Sequence, residues 1–279
     1  MPILTIATLT LREAVRRRIA AVVGALSIAL VALIAWGFWK LNAAIPMKEA
    51  AVGADSALTI LLAFMFSVVL GIGSAFLAAS AIAADVDSGV VLAILPRPIT
   101  RTEFVLGKWL GLVTLVLAYA TIFGTLALLG IGLATGYHPP HPVCALAYLV
   151  AQSVALLSLA LLLSTRLPAL AGGVLAVALF GVSWIAGITA GIARALHADA
   201  LAHVAAFVGL LVPTDGLWRG AVFELTPVAL LLAEASRETS NVNPFGVTSS
   251  PPPAFLAWSF AWLLVVLTAA ICSFRARDL

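Results

Sequence analysis

Charged side chains are scarce in this sequence. Asp, Glu, Lys and Arg make up 10% of its 279 residues, whereas hydrophobic residues make up 63%. A soluble domain of this length keeps many more charged groups on its water-facing surface. The composition therefore excludes an ordinary soluble fold and indicates that a lipid bilayer surrounds most of the chain. The net charge of +3 comes without a nucleic-acid-binding motif, so we expect no nucleic-acid partner.

Nucleotide-binding and catalytic motifs are missing as well. The chain has no G-x-x-x-x-G-K-[ST] phosphate loop, no H-E-x-x-H and no G-x-S-x-G. Its two cysteines, Cys144 and Cys272, lack metal-ligand spacing, and we expect two buried thiols. His138 and His141 flank two prolines and supply too few ligands for a metal. We therefore expect no metal, no cofactor and no ATP site in this chain.

Long apolar runs predict an all-α, polytopic integral membrane protein that forms a single domain over 1–279. The first run is too long for a cleavable signal, so it is interpreted as an uncleaved span. Most Lys and Arg residues fall on the side that holds both termini, which predicts a multi-pass protein of the plasma (inner) membrane with cytoplasmic termini. The six predicted spans cover about 19–39, 57–83, 106–135, 143–165, 169–193 and 254–274.

Residues 3–18, before the first span, have the pattern of an amphipathic helix. Leu4 and Leu11 share one face of a helical wheel with Ala7 and Val15, and the polar residues lie opposite. This pattern predicts a helix in the plane of the membrane interface. Its basic side chains are expected to contact anionic lipid headgroups. These anchoring residues are Arg12, Arg16, Arg17 and Arg18.

The segment 194–253 is predicted to lie on the outer side. Its apolar stretches at 200–212 and 220–233 are each too short to cross the hydrocarbon core comfortably. We expect two short helices on the outer surface, or dipping in from it. The alternative is two further spans, which would leave the topology unchanged. Residues 236–253 are rich in Asn and Pro and predict an irregular loop.

Ionisable residues are nearly absent from the predicted spans. Apart from serines, threonines and tyrosines, their interior offers only Gln152. Carriers driven by protons or sodium usually hold an acid or a base at membrane depth. This absence favours work supplied from outside the membrane, for example by a motor on the cytoplasmic face.

The predicted cytoplasmic loop 84–105 has the most specific pattern in the chain. Asp85 and Asp87 precede a short apolar piece, which Pro96 and Pro98 interrupt. Thr100 stands three residues before a glutamate, the spacing of a capping box at a helix start. That helix would continue into the third span and transmit force from the loop to it. The alternative is an ordinary polar loop whose charges are only solvated.

This loop resembles the intracellular loop of ABC-2-type ABC transporter permeases. In that family, acidic residues, a glycine, an apolar run, a Pro-containing turn with Ser/Thr-Arg, and Gly-Lys follow in order. The family often has Glu where this chain has Asp. The resemblance extends to the basic helix before the first span and to the C-terminus 274–279. The matching residues are Asp85, Asp87, Gly89, Leu95, Pro96, Pro98, Ile99, Thr100, Arg101, Gly107 and Lys108.

The resemblance implies an exporting permease that works with two separate ABC ATPase subunits, in which ATP and Mg would bind. It also implies a second permease chain, in a homodimer. The loop would dock on the ATPase and pass its motion to spans 2 and 3. The residues to which the resemblance assigns this coupling are Asp85, Asp87, Gly89, Pro96, Pro98, Thr100, Arg101, Glu103 and Lys108.

A shorter likeness concerns the outer motif Pro213, Thr214, Asp215 and Arg219. It resembles permeases of the copper-site maturation system of nitrous-oxide reductase. A local interpretation is also open, in which Asp215 caps the following helix and pairs with Arg219 one turn later.

Two other classes of protein remain as alternatives. An ion-coupled carrier or a channel would need a polar site at the midplane of the membrane. A membrane-embedded enzyme would use the outer segment, with Asp215, Glu224 or the histidines.

Overall fold

The computed structural model describes residues 2–16, 28–29, 32–33, 36–37, 39–40, 48–87, 89, 100–235, 247 and 249–277. Every regular element within these ranges is helical, which confirms the predicted all-α class. The helices are α1 (Pro2–Arg16), α2 (Lys48–Asp87), α3 (Arg101–Thr135), α4 (Pro142–Ser164), α5 (Ala169–Ala195), α6 (Asp199–Leu211), α7 (Thr214–Leu225), α8 (Val228–Ala235) and α9 (Pro253–Arg275).

Five of these helices are long and apolar enough to cross a membrane: α2 from Ser56, α3, α4, α5 and α9. The predicted first span, 19–39, lies largely outside the described residues. Two of its residues that are described, Trp36 and Trp39, are more than half exposed. These features define a polytopic membrane protein.

The helix α2 is longer at both ends than the sequence pattern predicted. It begins at Lys48, inside the predicted polar link, and it includes residues 84–87, which were assigned to the cytoplasmic loop. Its 40 residues extend about 60 Å, twice the thickness of a hydrocarbon core of about 30 Å. A run rich in alanine, a strong helix former, leads from the span to Asp87, so nothing in that stretch stops the helix. Asp85 and Asp87 therefore lie in its last turn.

The centre of the bundle is the contact between α2 and α4. Small residues such as Ala75 and Ala78 are fully buried against Leu156 and neighbouring residues. Hydrogen bonds cross the same interface, from Ser67 Oγ to Gln152 Oε1 at 2.8 Å and from the Ser74 hydroxyl to a backbone carbonyl of α4. Lipid tails are as apolar as leucine, so close packing of small residues and hydrogen bonds hold such helices together.

The bundle has two ends. Short connections make α3, α4 and α5 antiparallel to their neighbours. The α3–α4 end holds residues 136–141 and the C-terminus of α5. The α4–α5 end holds residues 165–168, the C-terminus of α2 and the start of α3.

The helices α6 and α7 form a re-entrant pair. They bend by 94° at a break of two residues, 212–213. The pair leaves the bundle end where α5 finishes and returns to it, because the Tyr137 hydroxyl donates to the Leu225 carbonyl and the His141 N–H to the Glu224 carbonyl. Tyr137 and His141 belong to the connection at the α3–α4 end. The pair therefore dips into the bundle and does not cross it.

The predicted bounds of this segment were wrong in one respect. A helix was expected from 220, after a polar break, whereas α7 begins at Thr214 and a third short helix, α8, follows it. The residues Thr214–Gly216 are helical because the break is confined to Val212 and Pro213, and a proline is tolerated just before the first turn of a helix.

One face of the N-terminal helix α1 packs on α3, and another face is exposed. Ile6 and Thr10 are buried against α3, whereas Leu4 is 58% exposed. Gly107 and Gly111 of α3 form the contact surface: a Cβ on Gly107 would lie 2.6 Å from the Ile6 Cβ, and one on Gly111 would lie 2.8 Å from the carbonyl oxygen of Ala7. The two glycines let the helix backbones approach closely, so α1 is attached to α3.

Replacing Gly111 with Val is expected to push α1 away from α3, because a branched side chain has no room beside the Ala7 carbonyl. Overpacking of this kind costs about 1–3 kcal/mol. Protease digestion of the purified protein would show faster cleavage within residues 2–16. The control is Gly73→Val, since a Cβ on Gly73 meets no atom within 4 Å. Equal cleavage of the two variants would contradict the glycine contact.

Candidate functional site

The start of α3 is held by the predicted capping box. The Thr100 N–H donates to Glu103 Oε2 at 2.8 Å, and the Glu103 N–H donates to Thr100 Oγ1 at 3.2 Å. Each side chain thereby satisfies a backbone N–H that has no partner within the helix. The prediction of a capped helix that runs directly into a span is confirmed.

An ion pair joins α3 to the end of α2. Lys108 Nζ lies 2.7 Å from Asp85 Oδ2, and the two side chains are only 10% and 19% exposed. The ammonium group also lies over the Phe104 ring, 5.8 Å from its centroid. This ion pair joins the two helices that flank the segment 88–99, and the capping box fixes where the second of them begins.

The interior of that segment is largely outside the described residues. Gly89 is described; it has φ +72°, which glycine adopts without a steric penalty, and its N–H donates to the Val86 carbonyl at 3.1 Å. The chain therefore turns immediately after α2. Pro96 and Pro98 lie outside the described residues.

Arg101 contacts the C-terminus of α9. Its Nη1 donates to the carbonyl oxygens of Arg275 and Arg277 at 2.7 Å each, and to that of Phe274 at 3.3 Å. The last carbonyls of a helix have no partner within it, and a guanidinium is favourable at this negative end of the helix dipole. Phe104 stacks on Phe274 beside this contact, with centroids 5.5 Å apart. Arg101 thus joins two spanning helices.

Two further arginines join α9 to the turn between α4 and α5. Arg277 Nη1 donates to the Thr165 carbonyl at 2.8 Å, and Arg166 Nη2 donates to the Ser273 carbonyl at 3.1 Å. The hydroxyls of Thr165 and Ser273 are 2.7 Å apart. We call these five residues, Arg101, Thr165, Arg166, Ser273 and Arg277, the terminal clamp. It holds the ends of four spanning helices together.

The remaining predicted residues at this end do not join the clamp. Asp87 is exposed at the end of α2, and Arg12 is exposed on α1. The side chain of Arg16, and Arg17 and Arg18 as a whole, lie outside the described residues. The expectation for the cysteines was wrong, since Cys144 and Cys272 are both exposed. In a bundle surrounded by lipid, apolar thiols on the outer surface have no need of burial.

The outer motif lies inside the bundle, where α7 meets α5. Arg219 Nε lies 2.7 Å from Asp215 Oδ2, so the predicted pair one turn apart is confirmed. The predicted cap is wrong, since Pro213 is the N-cap residue and Asp215 lies in the first turn. Arg219 Nη2 donates to the Gly187 carbonyl at 2.7 Å, and Ser183 Oγ accepts from the Asp215 N–H at 3.3 Å.

This position places an ion pair at depth in the bundle. Ser183 lies next to the midpoint of the 27-residue α5, and Gly187 lies one turn further on. A Cβ on Gly187 would overlap the Asp215 carboxylate, so only glycine leaves room for it. The interior of the spans was predicted to lack ionised residues; at the depth of Ser183 the charged pair belongs to the re-entrant helix α7.

Side chains from two spanning helices hold the break between α6 and α7. Trp258 Nε1 donates to the Leu210 carbonyl at 3.1 Å, and Trp262 Nε1 to the Leu211 carbonyl at 2.8 Å. From the other side, the Ser183 hydroxyl donates to the Val212 carbonyl at 2.6 Å. Three consecutive carbonyls at the end of α6 are therefore satisfied from outside the helix.

One polar group at the break has no partner. Thr214 is fully buried, and its hydroxyl makes no hydrogen bond in the structure. Burying an unsatisfied hydroxyl costs about 1–3 kcal/mol. The arrangement at the break therefore carries a local penalty that would be relieved if Thr214 met water.

Two histidines at the α3–α4 end of the bundle contact nearby backbone carbonyls. In the ranges that the structure describes, no three His, Cys, Asp or Glu side chains come together as a metal site. His138 Nδ1 contacts the Gly136 carbonyl at 3.0 Å, and His203 Nδ1 contacts the Asp199 carbonyl at 2.7 Å. Each of these rings is engaged with backbone close to it in sequence.

Several of these residues were not singled out in the sequence. Trp258 and Trp262 lie one turn apart in a predicted span, and a tryptophan N–H inside a membrane needs an acceptor. This requirement could have predicted that each indole N–H donates to a backbone carbonyl of another helix. Ser183 and Gly187 gave no comparable signal, because small residues are common in membrane helices.

Together, these features describe a multi-pass helical membrane protein. Hydrogen bonds from arginines join the helix ends at one end of the bundle, and a re-entrant pair of helices lies at the other. The family described as ABC-2 family transporter protein has a model that matches residues 4–279. The chain belongs to this family. A comparison with curated proteins found no match. The protein is accordingly a membrane permease subunit of an ABC transporter, a class in which ATP is hydrolysed by a separate ATPase subunit.

Replacing Lys108 with Met is expected to destabilise the protein by about 2 kcal/mol, because the ammonium group is removed from beside the Asp85 carboxylate. This value is intermediate. An exposed ion pair contributes about 0–1 kcal/mol, and removing one partner of a buried pair costs about 3–5 kcal/mol. Unfolding in mixed detergent micelles, followed by tryptophan fluorescence, measures it. The double variant Asp85→Asn, Lys108→Met should recover most of the loss. If it is no more stable than the single variant, the pair is not the cause.

Proposed function

We propose that this permease is driven through residues 88–99, between α2 and α3, and that it exports its substrate from the cytoplasm. One observation carries the proposal: the Asp85–Lys108 pair joins the helices on both sides of this segment to each other, and the Thr100–Glu103 box fixes the start of the second helix. A segment held in this way passes a push from a partner to both helices. A segment with free ends would absorb the push.

The proposed partner is an ABC ATPase, present in two copies that bind ATP and Mg. The exposed carboxylate of Asp87, together with Gly89, Pro96 and Pro98, would contact it. Arg101 is not assigned to docking alone, because its guanidinium donates hydrogen bonds to the carbonyls at the end of α9. It would carry the motion of α3 to the terminal clamp, and so to α4, α5 and α9.

The assembly that we propose contains two identical permease chains in the plasma membrane, with both termini and the α4–α5 end in the cytoplasm. The basic residues near α1, at 166 and at 275–277 support this orientation. The short likeness to permeases of nitrous-oxide reductase maturation stays a hypothesis about the substrate. Membership of the ABC-2 family favours this transport function over an ion-coupled carrier, a channel or a membrane-embedded enzyme.

Photo-cross-linking tests the docking surface. In a Cys144→Ala, Cys272→Ala background, a benzophenone maleimide is attached to Asp87→Cys and the chain is co-expressed with a candidate ABC ATPase. We expect the ATPase to be captured, because Asp87 is exposed at the end of α2. Pro140→Cys, exposed at the opposite end of the bundle, is the matched control. Capture from Pro140→Cys alone, or equal capture from both positions, would refute the proposed face.

The capping box offers a second test with a matched pair of variants. Glu103→Ala removes the side chain that binds the Thr100 N–H, which frays the start of α3 at a cost of about 1 kcal/mol. Glu103→Gln keeps an acceptor at the same position. We expect the first variant to lose the stimulation of ATP hydrolysis that the permease gives its ATPase, and the second to retain it. If both variants stimulate ATP hydrolysis fully, the capping box is not needed for coupling.

A further inference from the structure

The two members of the ion pair between α7 and α5 differ in exposure. The Arg219 side chain is 20% exposed, whereas that of Asp215 is 9% exposed. A guanidinium has five N–H groups and no acceptor. Asp215 and the Gly187 carbonyl accept one hydrogen bond each, and the other three N–H groups have no acceptor in the part of the chain that the structure describes. The pair therefore offers donors to a molecule that reaches this depth of the bundle.

Three aromatic rings lie beside this pair. Trp218 directly precedes Arg219 in α7, and Trp184 lies three residues before Gly187 in α5. The Phe64 ring of α2 contacts both tryptophans, with its centroid 5.5 Å from that of Trp184 and 5.6 Å from that of Trp218. All three rings are half-buried, so part of each ring is open to a ligand. We call Phe64, Trp184, Trp218 and Arg219 the seam site, because they lie where α2, α5 and α7 meet.

The depth of the seam site distinguishes it from a surface for lipid headgroups. Gly187, which binds Arg219, lies six residues before Ala193, where the spanning part of α5 ends. That separation is about 9 Å along the helix axis. An ionised side chain at such a depth is costly, and this cost makes a functional role the default expectation. Holding α7 against α5 uses only two of the five N–H groups, so this structural role leaves most of the guanidinium unexplained.

We propose that the seam site binds the transported substrate and that this substrate is an amphipathic organic anion. Its acidic group would accept from the free N–H groups of Arg219, because a planar guanidinium matches two oxygens of a carboxylate, sulfonate or phosphate. Its apolar body would pack on the three rings. Asp215 offsets the charge of Arg219, so the anion is held weakly enough to leave again. The transport of this ligand rests on the proposed function, whereas its binding rests on the contacts of the seam site.

Photolabelling of the lone chain tests the binding site. Benzophenone-4-sulfonate carries a permanent negative charge on a photoreactive aromatic body, and benzophenone-4-sulfonamide has the same shape without the charge. In nanodiscs of phosphatidylcholine, we expect saturable labelling within residues 180–190 and 214–225, located by peptide mass spectrometry. The sulfonate should saturate the site at a concentration about tenfold lower than the sulfonamide, as expected for hydrogen bonds to a charged group. Displacement of the sulfonate by phosphatidylglycerol would reassign the site to a lipid headgroup and overturn the proposal.

Paired substitutions test which groups bind the probe. Asp215→Asn with Arg219→Gln removes both charges and leaves no buried charge alone. This double variant should lose the preference for the sulfonate and still bind the sulfonamide. The matched control is Asp85→Asn with Lys108→Met, which removes an ion pair between other helices and should keep the preference.

Two single substitutions extend this test. Arg219→Lys keeps the ion pair without the planar fork and should lower the preference to about threefold. Trp218→Leu removes one ring and should weaken both probes equally. A normal gel-filtration profile shows that each variant is folded. If Arg219→Lys and the double variant both keep the full preference, or if neither probe labels the wild type saturably, the seam site is overturned.

The second arm uses the complete complex in proteoliposomes, with the ATPase on the outside. In the dark, ATP should drive accumulation of benzophenone-4-sulfonate in the lumen, and Asp215→Asn with Arg219→Gln should abolish it. ATP hydrolysis by the wild type without accumulation would overturn the substrate class and leave the transport function standing. A chain that binds no ATPase would instead contradict the proposed function, and the first arm would still decide the binding site.

Discussion

Inside a bilayer, a backbone carbonyl at a helix end or an ionised side chain finds no water and must be satisfied by the protein itself. This constraint applies to the break between α6 and α7, and carbonyls at the water-facing end of α9 are satisfied by side chains as well. At the end of α9, the carbonyls of Phe274, Arg275 and Arg277 accept from Arg101. At the end of α6, carbonyls accept from Trp258 and Trp262. In each case the donor belongs to another helix, so satisfying the backbone also ties helices together.

These hydrogen bonds explain how the helices of a bundle with few charges are joined to one another. Alanine, leucine and serine fill the interface between α2 and α4, which packs closely but offers few directional contacts. The directional contacts are concentrated where helices end. The capping box and the Asp85–Lys108 pair lie at one end of α3, and the terminal clamp extends from the same place to α4, α5 and α9. A force applied near residue 100 therefore meets a network and not an isolated helix.

The re-entrant pair changes how the distribution of charge is understood. On composition, the membrane-crossing helices lack ionised groups, and that absence favoured an external source of energy. The structure brings Asp215 and Arg219 to the middle of α5, where a lone charge would be costly and a neutral pair within one helix is tolerated. The inference of an external motor is supported by the ABC-2 family match, but the bundle is not free of charge.

The sequence by itself determined the class of protein, because apolar runs of this length have few alternatives to membrane helices. It also determined the start of α3, since the spacing of Thr100 and Glu103 is a local signal that acts within one turn. Only the tertiary structure decided that Arg101 caps α9 and that the Pro213 motif lies inside the bundle. Those outcomes depend on donors and acceptors that are far apart in the chain, such as Trp262 and Leu211, and no local pattern records which helix end will lie beside which side chain.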